Sequence, residues 1–184
     1  MRPSPMLNVP VLETERLRLR GQTLADFDAS AALWADPIVT RFIGGRPSTR
    51  EEAWGRFQRH AGHWALKGYG MWIVEDRATG DYLGEIGLAD FRREIDPPLP
   101  DAPEFGWVLS PKAHGRGVAS EALAAAMAWA EGHFGPTAMV CIIAPENTAS
   151  LRVAEKAGFR EVRRALYHDN ETVVLERPAG FRER

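Results

Sequence analysis

The first clear pattern along the chain lies in ETERLRLRG (13–21), where Leu17 and Leu19 alternate with Arg16, Arg18 and Arg20. A period of two with one charged side predicts a first strand, wet on one face. DFDASAALWAD (26–36) changes to helical spacing. PSTREEAWGRFQRHAGHWALKG (47–68) starts with Ser48 three residues before Glu51, the spacing of a capping box, and stops at Gly68. Trp54, Phe57, Ala61, Trp64 and Ala65 share a side of this second helix and predict its buried face.

MWIVED (71–76) and DYLGEIGLADF (81–91) read as two strands joined through RATG, where Gly80 suits the positive φ of a hairpin turn. FRREIDPPLPDAP (91–103), rich in proline and charge, reads as a surface loop. EFGWVLS (104–110) is a further strand that exits at Pro111. Ala119, Ala122, Leu123, Ala126, Met127 and Ala130 then form the stripe of a helix lying flat on a sheet.

TAMVCIIA (137–144) is nearly all apolar, as a strand covered on both faces would be. NTASLRVAEKAGF (147–159) predicts a short helix capped by Asn147 or Thr148 and ended by a left-handed Gly158 before apolar Phe159. The tail FREVRRALYHDNETVVLER (159–177) predicts two strands around DNE. The order gives an α/β (α+β) architecture: a mixed sheet of about seven strands with about four helices on its faces. No repeat or break in composition marks a second unit, so a single domain is expected across 1–184, with its core over about 12–177.

Composition narrows the function classes. The 184 residues are 45% hydrophobic and 26% charged, which suits one globular domain. A net charge of -2 gives no support to DNA or RNA as primary partner. The lone Cys141 sits in the apolar run MVCIIA, so a buried thiol is expected and no disulfide can form within the chain. MRPSPMLNVPVLETE (1–15) breaks its apolar residues with prolines and lacks a secretory core. ALAAAMAWA (122–130) falls short of the roughly 20 apolar residues that span a bilayer. A cytoplasmic protein with no membrane partner is expected.

Candidate chemistry centres on HGRGVASEAL (114–123). A helix amino terminus has unpaired amides and partial positive charge, and Gly115 and Gly117 let an anion come close while His114 and Arg116 add donors. The same glycines also satisfy a simple demand of backbone geometry. The nucleotide-hydrolase string GxxxxGK[ST] is absent. A dinucleotide fingerprint fails at Ser120, where its third glycine belongs, and HFGPTAMVC (133–141) supplies no acid downstream.

KAHGRGVASEAL resembles the coenzyme A pyrophosphate loop Q/R-x-x-G-x-G/A of the GNAT acetyltransferases, with Lys112 at the Q/R position. ENTASLRVAEKAGF resembles that family's second cofactor segment, N-x-x-[AS] followed by GF. LETERLRLR and TRFIGGRPSTREEA are similar to the branch containing ribosomal-protein N-terminal acetyltransferases. The resemblance implies a GNAT-like, mostly antiparallel sheet and an N-acetyltransferase that uses acetyl-CoA as cosubstrate. The acceptor would be a primary amine, on a protein amino terminus or a small molecule, attacking directly in a ternary complex. A homodimer is left open. A catalytically silent acyl-CoA-binding sensor or scaffold is the alternative.

By the same resemblance, acetyl-CoA would lie in a splay between the strands at 104–109 and 138–143. Main-chain groups near Val108 and Leu109 would hold the pantetheine and thioester. The amides of His114, Gly115, Arg116, Gly117, Val118, Ala119 and Ser120 would hold the pyrophosphate, and Asn147 and Ser150 would approach the sulfur end. An amine attacks only when neutral, and Glu104, at the start of the strand beside the thioester, is the first candidate base. Its other reading is a solvated or salt-bridged strand-edge carboxylate, and Glu85, Asp90 and His168 are weaker candidates. The Leu109 amide would meet the charge on the carbonyl oxygen.

Many relatives place a tyrosine in x-Y-x-x-x-G-F to protonate the thiolate, but Ala154 stands there. Ser150 then becomes the candidate acid, with Tyr167 in reserve. Trp34, near a helix end, is expected to line a substrate groove, while Asp96 and Asp101 would either attract a cationic acceptor or simply be solvated. His60 and His63 read as ordinary surface or core, and His60, His63, His133 and His168 lack a metal-ligand spacing, so no metal is expected.

Overall fold

The computed structural model describes residues 8–181, so part of the amino-terminal reading, over residues 1–7, lies outside the described residues. A two-residue strand β1 (Leu12–Glu13) turns back through Thr14, whose amide donates to the Leu17 carbonyl at 2.9 Å, into β2 (Leu17–Arg20). Leu17 and Leu19 are buried and Arg18 is exposed, as the alternation requires. β1 adds an eighth strand to the expected seven, because two residues carry no periodicity to read.

A 3-10 turn (Leu24–Asp26) leads into α1 (Phe27–Ala35). The short α2 (Pro37–Thr40) was not expected, although its start is written in the sequence. Asp36 accepts the Ile38 amide at 2.8 Å and Pro37 occupies the first turn, where its missing N–H costs nothing. α3 (Arg50–Lys67) begins one residue later than Ser48 and Glu51 imply. Thr49 and Glu52 form the capping box: the Glu52 amide donates to Thr49 Oγ1 at 3.2 Å and the Thr49 amide to Glu52 Oε2 at 2.8 Å. Ser48 is committed elsewhere, its amide donating to the Trp34 carbonyl at 2.9 Å.

The buried face of α3 also differs from the expected one: it runs Ala53, Phe57, His60, Trp64. Trp54 is rotated outward and meets Phe27 edge-on at 4.8 Å. The tryptophans suggested a face turned one position from the one that packs, and His60 holds a core position. Gly68, at φ 73°, ends the helix with its amide on the Trp64 carbonyl.

The remaining elements are β3 (Met71–Asp76), β4 (Tyr82–Ala89), β5 (Glu104–Leu109), α4 (Val118–Phe134), β6 (Met139–Ile143), α5 (Thr148–Lys156), β7 (Arg160–Tyr167) and β8 (Asn170–Arg177). They form one mixed sheet in the order β1-β2-β3-β4-β5-β6-β8-β7, in which only β5 and β6 pair in parallel. α4 lies on the sheet through Ala122, Leu123, Ala126 and Ala130, all fully buried, and its small side chains let it approach closely. The loop 90–103 is tied down more than a surface connection would be. Ile95 is buried against Val140, Ala165 and Val174, and Asp96 bridges Leu166. The last hairpin turns at His168 and Asp169, with φ 47° and 60°, a residue earlier than DNE suggests. Among the described residues, no helix is long and apolar enough to cross a membrane.

Candidate active site

The parallel strands β5 and β6 stay in register at one place only, Glu104 opposite Val140, where the Val140 amide also donates to the Pro103 carbonyl at 3.0 Å. Beyond it they diverge, leaving facing strand edges without partners and opening a cavity of about 430 Å³. Phe105 to Val108 form one wall, Cys141 to Ala144 another, and Asn147 and Ser150, at the start of α5, also line the cavity. Arg56, Arg59 and His60 of α3, with Trp34, face them, and Tyr167 and His168 contribute from the last hairpin.

The strand edge can be followed by alternation. The Ser110 amide donates to the Leu83 carbonyl at 2.8 Å, so Val108, two residues back, also turns its polar backbone to β4. Leu109 therefore aims its amide at the β6 side, whereas Val108 contributes side-chain surface. His114 Nε2 donates to the Leu109 carbonyl at 3.1 Å, which joins the strand end to the turn after it.

Glu104 is buried on the cavity wall and salt-bridged, so of its second reading the salt bridge is present and the solvation is not. Arg93 Nε donates to its two oxygens at 2.8 and 2.9 Å, and Arg93 Nη2 lies 2.7 Å from Oε1. Burial pushes its carboxyl up by more than Arg93 pulls it down. The same guanidinium donates to the Tyr167 hydroxyl at 3.1 Å, bringing Tyr167 beside Glu104. Asp90 is engaged at the surface with Lys67 and Arg92, each at 2.9 Å.

A second carboxylate, Glu85, is fully buried. It accepts from the Ser30 hydroxyl at 2.6 Å, the Tyr82 hydroxyl at 2.8 Å and Trp34 Nε1 at 3.2 Å, and His60 Nδ1 lies 3.6 Å away. Burial holds His60 below its ordinary value despite that neighbour. Trp34 is itself buried, its indole lying 3.7 Å beneath the Arg56 guanidinium. The sequence reading did not single out Arg56, Arg59 or a role for His60. Their spacing of three and four residues is the signal that a helix-face search would have caught.

Asn147 caps α5 by accepting the Ser150 amide at 3.2 Å, and both residues line the cavity. Ala154 is fully enclosed in the core. The residues from His114 to Ser120 do not line the cavity; they stand at the far end of the six-residue β5. Gly115 and Gly117 adopt φ 70° and 76°, and Gly117 caps α4. A Cβ at Gly115 would meet nothing within 4 Å, so its glycine is required by φ and not by crowding. Val118 is buried and offers only its backbone, while His114 and Arg116 are exposed.

The amino-terminal hairpin braces this turn. Arg16 donates to the Arg116 carbonyl at 2.9 Å and to Glu121 Oε2 at 2.7 Å, and Thr14 Oγ1 donates to Glu121 Oε1 at 2.5 Å. The predicted residues therefore fall into two groups, the cavity set of Trp34, Glu104, Val108, Asn147, Ser150 and Tyr167 and the helix-mouth set, with Leu109 between them.

The profile of the acetyltransferase (GNAT) domain matches residues 16–160. The uncharacterized N-acetyltransferase YoaA of Bacillus subtilis is 30% identical over 169 residues, spanning 89% of this chain and 91% of its own. An acetyltransferase from Agrobacterium tumefaciens superposes with a TM-score of 0.80 at 31% identity, covering 100% of both chains. The ribosomal-protein-S5-alanine acetyltransferase from Vibrio fischeri shares the fold, with a TM-score of 0.72 at 16% identity over 95% of this chain and 100% of that one.

Proposed function

The chain belongs to the GNAT acetyltransferase family, and from that premise we propose that it moves the acetyl group of acetyl-CoA onto a primary amine, of a protein amino terminus or a small molecule, by direct attack in a ternary complex. The observation that carries this reading is the divergence of β5 from β6, which leaves an unpaired strand edge running from a helix mouth to a cavity with a buried carboxylate. The residues fit an elongated thioester with an anionic head. The positive φ of Gly115 and Gly117 bares the amides at the start of α4, and Arg116 adds charge there. The Leu109 amide, Asn147 and Ser150 would hold the arm and sulfur end. Acetyl-CoA supplies the activated acyl carbon.

The chain's own groups handle protons and charge. Glu104 takes the proton of the incoming amine, directly or through one water. Burial shifts its carboxyl upward, which makes it a stronger base than an exposed glutamate, and Arg93 positions it. The Leu109 amide donates to the carbonyl oxygen as negative charge gathers there. Ser150 would donate a hydrogen bond to the departing thiolate and pass on a proton from water, a modest demand because thiols titrate near 8.5 and leave readily as thiolates. Since Arg93 donates to the Tyr167 hydroxyl, that hydroxyl keeps its own proton for donation and serves as reserve acid. Burial pushes the Cys141 thiol up, which speaks against an acyl-cysteine route.

The grip of Arg93 on Glu104 and the enclosed Ala154 are the observations that favour a silent acyl-CoA-binding module instead. Thiol release from acetyl-CoA over a panel of amines separates the two. Amine-dependent release supports the enzyme, and thermal stabilisation by acetyl-CoA without release on any amine supports the module. Absence of both effects contradicts each reading, since a ligand of the native state must stabilise it.

A further inference from the structure

The α3 wall of the cavity carries two arginines that form no ion pair among the described residues. Most arginines of the described residues reach a carboxylate, but Arg56 and Arg59 form no ion pair there although both line the cavity. They stand three residues apart on α3 and so share a face. The nearby acids are occupied: both oxygens of Glu52 are bound by Arg46 at 2.6 and 3.0 Å, those of Glu104 by Arg93, and those of Glu85 by Ser30, Tyr82 and Trp34.

Arg56 is half-buried, fixed over the Trp34 indole at 3.7 Å, and donates only a 3.3 Å hydrogen bond to Ser48 Oγ among the described residues. A guanidinium offers five N–H donors, so most of its donors are uncommitted. Burial and then the charge of Arg59 work against the charge of Arg56. Glu85 and Glu52 offset this only in part, so an anion in the cavity would favour the arginine pair. The helix mouth, the site suited to the phosphates of the cosubstrate, lies at the other end of β5, so this positive wall has no part in that reading.

We infer that the acceptor is a primary amine that also bears a carboxylate, an amino-acid-like molecule whose anionic end is gripped by Arg56 and Arg59 while its amine faces Glu104. This rests on the acetyltransferase reading above. A cavity of about 430 Å³ is of a size for such a molecule. It also reverses the sequence suggestion that Asp96 and Asp101 draw a cationic acceptor, since neither lines this cavity. The carboxylate would come from a free amino acid or from an acidic side chain at a peptide's amino terminus.

The test measures kcat/KM for matched acceptors with wild-type protein, Arg59→Gln, Arg59→Glu and Arg56→Lys. The acceptors are free amino acids, their carboxamides, and short peptides with or without an acidic residue at the amino terminus. Arg59 is exposed, so its variants should fold, and melting temperature controls for Arg56→Lys. The wild type should favour the carboxylate over the carboxamide by about tenfold or more, the effect of a charge-assisted hydrogen-bond pair. Arg59→Gln should shrink that preference, Arg59→Glu should invert it, and the KM for acetyl-CoA should not move. A preference for free amino acids or for acidic peptides identifies the source, and either supports the proposal. Equal turnover of carboxylate and carboxamide overturns it and leaves the transferase standing, as does a rise in acetyl-CoA KM with unchanged acceptor preference. No turnover with any amine overturns the transferase reading and this one with it.

Discussion

At the scale of single residues, the site depends on how Glu104 and Arg93 share one buried ion pair. Glu104→Gln should lower kcat/KM by about 10²- to 10⁴-fold, the usual worth of a general base. The loss should be greatest below neutral pH and shrink as the amine deprotonates by itself; an unchanged pH-rate profile would contradict the role. Arg93→Gln makes a separate prediction. Arg93 pulls the Glu104 carboxyl down against burial, so its removal should raise that group further and move the acid limb of the profile to higher pH. Stability should also fall, by about 3–5 kcal/mol, for leaving a buried charge unpartnered. Glu104 was legible as a candidate because it opens a strand beside the proposed thioester. Arg93 was not, because it lies in a loop whose path the sequence does not reveal, and the burial of Glu85 was not, because burial is a tertiary property.

At the scale of elements, caps and turns carry the outcome. Thr49→Ala should cost about 1 kcal/mol in thermal or chemical unfolding, the typical worth of an N-cap, and more than Ser48→Ala. The reverse order would restore the cap read from the sequence. The two competing boxes differ by one residue, and propensity alone cannot choose between them. The choice is made by the Ser48 amide, already bound to Trp34. The glycine turn was legible in full, but its brace was not, since Arg16 and Glu121 are far apart in the chain. Burial raises the Glu121 carboxyl, yet hydrogen bonds from Thr14 and Arg16 outweigh it and hold the group below its ordinary range. A carboxyl depressed in the folded state stabilises at pH above its ordinary value, and the stabilisation is lost as pH falls through and below it. Glu121→Gln should therefore flatten the acid limb of stability below about pH 5 in melting experiments; an unaltered limb would remove the brace from the account.

At the scale of the whole molecule, strand order and the one parallel pairing make the site. Alternation and apolar runs exposed seven strands and four helices, while the two-residue β1 and four-residue α2 were too short to leave a period. The sequence alone could not show that β5 and β6 meet at Glu104 and then part, since that depends on pairing between strands some 30 residues apart. The most direct measurement is amine-dependent thiol release from acetyl-CoA, with the acetylated product identified by mass, for wild-type protein and Gly117→Trp. The account predicts stoichiometric release and acetylation by the wild type, and a sharply raised acetyl-CoA KM once an indole fills the helix mouth. Release with no dependence on amine, or a KM indifferent to Gly117→Trp, would contradict it.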